Sequence, residues 1–225
     1  MRIGGHRGWK AAHPDNTMEA FRAAAEHADF VEIDVRWALD GVAVLSHDPV
    51  VNGVTLADHG SAQLRSMPET SHIPTFAELL AGLPGLPLDI EIKHFPGDPD
   101  FDPSFDRPVA AAALARPGDV VTCFHWPTLA EVKERLPRVL TGVLLEPPTT
   151  IDEAIEEAVV RGHRFVVPER SQLADRSRIT EIHGQGLLVG TWTVNDPSEA
   201  KDLADYGVDA VVTDDPVAVI AEVRS

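Results

Sequence analysis

Eight short apolar runs rich in β-branched residues constrain this chain more than any other feature; they lie at 2–5, 29–35, 87–92, 119–124, 139–145, 164–167, 187–193 and 209–213. Runs of this length and composition read as parallel strands buried on both faces. Helical patterns separate most of them, and several helix starts are visible. Thr75 with Glu78, Thr128 with Glu131 and Thr150 with Glu153 all have capping-box spacing. Asn16 stands just ahead of a pattern in which Met18, Phe21 and Ala25 share one helical face. Asp196-Pro197 reads as a cap and first helical residue with Gly207 as the stop, and Asp215-Pro216 repeats the start signal. Strands alternating with helices predict a closed barrel or a doubly wound sheet. Eight strands favour the α/β class of the (β/α)8 TIM barrel, as one domain over residues 1–225. The Gly-x-Gly-x-x-Gly fingerprint of the doubly wound class is absent.

Two stretches break the rhythm, and both follow the C-terminal ends of strands, where barrel enzymes keep their chemistry. After the second run, Asp40-Gly41 between two extended segments reads as a hairpin, and residues about 49–72 then read as an irregular excursion. Residues about 94–107, rich in Pro and Asp, read as a long loop.

Charge narrows the partners. With 36 acidic and 19 basic residues the formal charge is −17, which disfavours nucleic acid, whose binders need a basic face, and stable association with an anionic membrane. The single cysteine, Cys123, excludes a disulfide framework and a cysteine-based zinc site. No run of about 18 apolar residues is present. The expectation is a cytoplasmic protein, monomer or homodimer.

Glu32-Ile33-Asp34 carries the clearest chemistry. Residues i and i+2 of a strand point to one side, so both carboxylates project from the same face. Adjacent inward carboxylates repel and are costly to desolvate. A hard divalent cation removes that cost. Glu91 and Lys93 share a face of the third run, which should neighbour the second, so Glu91 joins the pair. Three carboxylates without cysteine suggest Mg²⁺ or Ca²⁺ over zinc. The ordinary alternative for such acids is solvation or helix capping, and for Glu91 with Lys93 a salt bridge. His6 ends the first run and His47 follows the hairpin. Two imidazoles beside a cation suit acid–base chemistry near neutral pH. Arg7 offers a planar fork for phosphate oxygens.

In order along the chain stand His6-Arg7-Gly8, Pro14-Asp15-Asn16-Thr17 with Ala20-Phe21, Glu32-x-Asp34-Val35, Asp40-Gly41, His47-Asp48, Ile73-Pro74-Thr75-Phe76, Glu91-Ile92-Lys93, Trp192-Thr193-Val194-Asn195-Asp196, Gly207-Val208-Asp209 and Thr213-Asp214. This ordered set resembles the glycerophosphodiester phosphodiesterase family over nearly the whole chain. The resemblance implies a (β/α)8 barrel that hydrolyses glycerophosphodiesters to glycerol 3-phosphate and an alcohol. It implies His6 and His47 as the acid–base pair and Glu32, Asp34 and Glu91 as ligands of one divalent cation. It also implies Arg7 and Lys93 as phosphate contacts and Trp192 as a pocket aromatic. Val50-Val51-Asn52-Gly53 departs from the family pattern, and Phe124-His125-Trp126 stands where relatives often carry Ser-Phe. For His94, Phe95, His125 and Trp126 the default is packing or the surface, with the pocket as the alternative. Rival readings are a lysophospholipase D, a metal-dependent lyase or aldolase on the same barrel, and a non-catalytic binding barrel. The lyase is disfavoured by the His6-Arg7 pair, and the binding barrel should lack part of the five-residue set.

Overall fold

The structure is a computed structural model describing residues 1–225. In chain order its elements are β1 (Arg2–Gly5), α1 (Met18–Ala25), β2 (Phe30–Trp37), β3 (Ala43–Leu45), β4 (Val50–Val51), β5 (Val54–Thr55), α2 (Ser61–Ser66), α3 (Phe76–Gly82), β6 (Leu88–Ile92), α4 (Asp106–Ala112), β7 (Val120–Cys123), α5 (Trp126–Arg135), β8 (Leu140–Leu145), α6 (Ile151–Arg161), β9 (Phe165–Pro168), α7 (Arg176–Gly184), β10 (Leu188–Thr191), α8 (Pro197–Tyr206), β11 (Ala210–Thr213) and α9 (Pro216–Val223). Strands β1, β2, β6, β7, β8, β9, β10 and β11 pair in parallel in that order, and β1 closes the ring against β11. This is the eight-stranded (β/α)8 barrel. No helix is long and apolar enough to cross a membrane.

The strand alternation explains both the shell and the interior. Val31, Ile33 and Val35 of β2, with Ile90 and Ile92 of β6, are fully buried and join helix residues such as Phe21 and Leu129 in one core. The intervening Glu32, Asp34, Asp89 and Glu91 therefore face into the barrel. Gly4 makes room there for Phe30, because a Cβ at Gly4 would stand 2.3 Å from that ring. A cavity of about 340 Å³, lined by Phe30, Asp89, Thr122 and Phe165 among others, lies near the N-terminal ends of the strands.

Several local expectations need correction. β2 runs to Trp37, beyond residue 35, because its end pairs antiparallel with β3 across the Asp40-Gly41 turn. Thr17, not Asn16, caps α1, accepting from the Ala20 N–H. Asn16 is instead buried and its side chain is committed elsewhere. Thr75 and Thr150 form complete capping boxes. Thr128 does not, because α5 begins earlier, at Trp126, and the Thr128 hydroxyl lies 2.8 Å from Nδ1 of both His94 and His125.

Residues 49–72 are not irregular. They hold the β4–β5 hairpin and α2, and their Val54, Leu56 and Leu64 form a small core with Ala38, Val44 and Ile73 on either side of the segment. Each element there is too short to show a period. The loop after β6 is ordered by buried Asp100, which accepts from Arg36 and from the Trp37 N–H.

Replacing a capping hydroxyl typically costs about 1 kcal/mol. Thr150→Ala, at the start of a helix packed on β8 and β9, should therefore lower Tm by roughly 2–4 °C, measured by circular dichroism.

Candidate active site

The register of β2 and β6 sets Asp34 beside Glu91 and Glu32 beside Asp89. Ligand atoms of Glu32, Asp34 and Glu91 all lie within 4.8 Å of one another. All three residues are buried. Asp89 sits one layer deeper and accepts from the Thr122 hydroxyl at 2.7 Å. Burial pushes its carboxyl up to about 7.

Positive charge surrounds the cluster. Lys93 Nζ pairs with Glu91 and lies 3.0 Å from Asp34 Oδ1, while Arg7 Nε lies 3.1 Å from Asp34 Oδ2. Burial alone would raise Asp34, but Lys93 and Arg7 outweigh it and hold the group below the usual carboxylate range. Glu32 lacks that compensation. Burial first, then Asp34 and Glu91, push its pKa well up. Glu91 is also raised, by burial above all, despite Lys93. Burial would depress Lys93, yet Glu91 and Asp34 hold it above the ordinary ammonium range. Glu32 Oε1 is buried with no hydrogen-bond partner. An orphaned carboxylate oxygen within an all-oxygen cluster is what a hard divalent cation would satisfy, so the residues fit such an ion.

The two imidazoles line one cavity of about 420 Å³ together with Arg7, Arg36, Glu91, Lys93, Phe95, Phe124, Glu146 and Trp192, among others. His6 Nδ1 donates to Asp214 Oδ1 at 2.6 Å. Asn195 donates to the other oxygen of Asp214 at 2.8 Å. His47 Nδ1 lies 2.7 Å from Asp48 Oδ1. Each ring thus has a carboxylate on Nδ1, which leaves Nε2 as the nitrogen for a reacting group. Burial lowers the pKa of both rings; the Asp214 hydrogen bond offsets it only in part at His6, and Lys93 adds to it at His47. Burial would raise Asp214, but its bonds from His6 and Asn195 bring it down to about 2.

The sequence reading missed four supporting residues. Asp214 and Asn195 orient His6. Asn16 donates to Asp34 Oδ2 at 2.7 Å. Arg36 is buried, donates from Nε to the His47 carbonyl at 2.7 Å, and pairs with Asp98 and Asp100. It ties the loop bearing His47 to the loop after β6. Its signal was available: Glu32, Asp34 and Arg36 follow one another at period two.

A family model described as "Glycerophosphoryl diester phosphodiesterase family" matches residues 6–218. The chain belongs to the glycerophosphoryl diester phosphodiesterase family. Its members are phosphoric diester hydrolases. A glycerophosphodiester phosphodiesterase of Caldanaerobacter subterraneus subsp. tengcongensis is 26% identical over 245 residues, spanning 97% of this chain and 96% of that protein. A phosphodiesterase of Oleispira antarctica, solved in complex with the product sn-glycerol-3-phosphate, superposes with a TM-score of 0.85 at 22% identity, covering 100% of this chain and 97% of the other. A glycerophosphodiester phosphodiesterase of Thermotoga maritima gives a TM-score of 0.84 at 22% identity, with 98% and 97% covered.

Within this family barrel the undecided residues now separate. Phe95 and Trp192 line the cavity; Trp192 Nε1 donates to the Val167 carbonyl at 3.2 Å. His94 is buried, stacks on Phe101 at 4.4 Å between centroids, and is pushed down to about 4 by burial. It packs rather than reaching the cavity. His125 and Trp126 line an adjoining groove with Leu144 and Pro147.

His6 should titrate below the ordinary imidazole value in the metal-free protein. Asp214 raises that pKa, so Asp214→Asn should lower it further, read by NMR from the ring Cε1–H shift against pH. An unchanged or higher value would show that Asp214 does not set the ring's protonation.

Proposed function

We propose that this chain hydrolyses glycerophosphodiesters to glycerol 3-phosphate and an alcohol, using one divalent cation, Mg²⁺ or Ca²⁺, and the His6–His47 pair. The observation that carries the reading is a carboxylate triad with an orphaned oxygen, one member of which, Glu91, lines the same cavity as two carboxylate-tethered imidazoles. The glycerol 3-phosphate complex of the Oleispira relative supports the choice of product.

Glu32, Asp34 and Glu91 would hold the cation, which when bound supplies Lewis acidity and a template for phosphoryl and hydroxyl oxygens. One imidazole takes the proton of the attacking hydroxyl through Nε2. The other gives a proton to the leaving alkoxide. The new bond joins the attacking oxygen to phosphorus as the bond to the leaving oxygen breaks. By family resemblance the attacker is the substrate's own 2-hydroxyl, and water then opens the cyclic phosphate. Arg7 and Lys93 face the charge that develops on the phosphoryl oxygens. Their existing pairs with Asp34 and Glu91 keep both fixed beforehand. Asp214 and Asp48 hold the rings in one tautomer, as the orienting carboxylate does in other acid–base pairs.

His6→Ala and His47→Ala should each lower kcat by roughly 10²–10⁴-fold, followed as glycerol 3-phosphate release; near wild-type turnover in both would remove the pair from the mechanism. Excess EDTA should abolish release, and Mg²⁺ or Ca²⁺ should restore it. A rate unaffected by chelation would remove the cation.

A further inference from the structure

The cavity of about 340 Å³ at the N-terminal end of the barrel shares no residue with the one that holds the imidazoles. Interiors of this fold are ordinarily filled by bulky branched side chains. Here Gly190 lines the cavity, and Gly142 lies between Thr122, Phe165 and Val167 of its wall, so β8 and β10 contribute no side chain to that layer. Most of the wall is apolar: Phe30, Val120, Phe165, Val167, Leu188 and Val212. The polar side chains of its interior are Asp89, Thr122 and Thr191. Both threonine protons are already used, that of Thr122 on Asp89 Oδ1 at 2.7 Å and that of Thr191 on the Pro168 carbonyl at 2.9 Å. Asp89 Oδ2 is left without a partner. Asp89 stands beside Glu32 inside the barrel, yet part of its surface stays accessible, because the cavity reaches it.

We propose that this cavity is a second ligand site, for a compact and mostly apolar primary amine bound as its ammonium ion, with Asp89 Oδ2 as the acceptor. The interior has acceptor capacity to spare and no free donor side chain. A phosphate, carboxylate or carbonyl group entering it would find no proton to accept, and an anion would also face the Asp89 charge. An ammonium brings three donors and no acceptor. Its pairing removes the cost of an uncompensated carboxylate in apolar surroundings. An alcohol donates one hydrogen bond and carries no charge, so it is the weaker partner for a carboxylate. The rim agrees in sign. Besides Asp89 the wall carries Asp209, against a single cation, Arg2. The Arg2 guanidinium is held outside by the Asp29 carbonyl and lies 5.3 Å over the Phe30 ring. The size of the cavity and its apolar walls set the rest of the ligand, a hydrocarbon body small enough to lie within the strands.

The test titrates the whole chain, with Mg²⁺ present and in mildly alkaline buffer, with three molecules of one shape: cyclohexylmethylammonium, cyclohexylmethanol and cyclohexanecarboxylate. Binding is read by NMR from the methyl shifts of Val120, Val167 and Val212. The ammonium should move these methyls with a Kd roughly tenfold or more below that of the alcohol, and the carboxylate should leave them in place. Asp89→Asn, which keeps an acceptor for Thr122, should bring the ammonium and alcohol Kd values together. Ala210→Leu, which adds bulk at the half-buried rim, should weaken both. No methyl shift with any probe overturns the proposal and leaves the cavity to solvent. An alcohol bound as tightly as the ammonium overturns it, and so does a preference that survives in Asp89→Asn. Ammonium shifts confined to Phe124 and Trp192 place the cation at the opposite end of the barrel and overturn it as well. Should Asp89→Asn fail to fold, the wild-type series and Ala210→Leu decide between the same outcomes. The readout does not involve turnover, so its failure leaves the hydrolase reading untouched.

Discussion

The pairing of Asp34 with Glu91 across β2 and β6 is the contact on which the rest of the site is arranged. A slip of one residue in either strand would turn its acids into the helix-facing shell and put isoleucine or valine inside. The apolar residues between the acids are therefore part of the site, since their burial against the helices fixes which way the carboxylates face. The cluster gathers three negative charges, and Arg7 and Lys93 return two positive ones. Neither Glu32 Oε1 nor Asp34 Oδ1 has a hydrogen-bond partner, but Asp34 Oδ1 keeps an ion pair with Lys93, so what is left uncompensated falls on Glu32. Charge balance and hydrogen bonding thus point to the same position for a cation.

The imidazoles reach the cluster by different routes. His6 ends β1, and its N–H donates to the Thr213 carbonyl across the seam that closes the barrel. The same seam delivers Asp214, 208 residues away in sequence, to the His6 ring. His47 comes from beyond the β2–β3 hairpin, and Arg36 pins its carbonyl from within β2. One ring is positioned by closure of the whole barrel and the other by a local turn. A perturbation of the loop after β6 acts on the second through Asp98 and Asp100, without touching the first.

The barrel was legible because its strands are short, β-branched and largely apolar runs, eight in number, separated by helix-start and turn signals. The clustering of Glu32, Asp34 and Glu91 was legible because period two and strand adjacency are geometric facts that survive without coordinates. What failed to show depended on tertiary partners. Asn16 resembles a helix cap until its amide is seen on Asp34. Thr128 has capping-box spacing, but a buried hydroxyl shared between His94 and His125 overrides it. Asp214 sits in a quoted motif, yet only barrel closure reveals its ring partner. The region 49–72 hid its small core because elements of two to six residues display no periodicity.

Backbone conformation carries the same message as charge. Four non-glycine residues have positive φ: Arg7, Asn16, Asn52 and Phe105. Asn52 lies in the turn between β4 and β5, and Phe105 caps α4. The remaining two both serve the carboxylates: the Arg7 N–H donates to Glu32 Oε2 at 2.8 Å, and the Asn16 amide donates to Asp34. Left-handed conformations at such residues cost of order 1–3 kcal/mol each. Two buried carboxylates gain a donor in exchange, and hydrogen bonds to charged groups contribute about 1.5–3 kcal/mol. The magnitudes match, so the strain persists without a net penalty to the fold. Gly8, at φ 91°, completes the turn, since a Cβ there would stand 2.6 Å from Ala20 of α1. The loop after β1 departs from ordinary backbone preferences where the carboxylates of the cluster need donors, and it is held in that shape by the helix packed beside it.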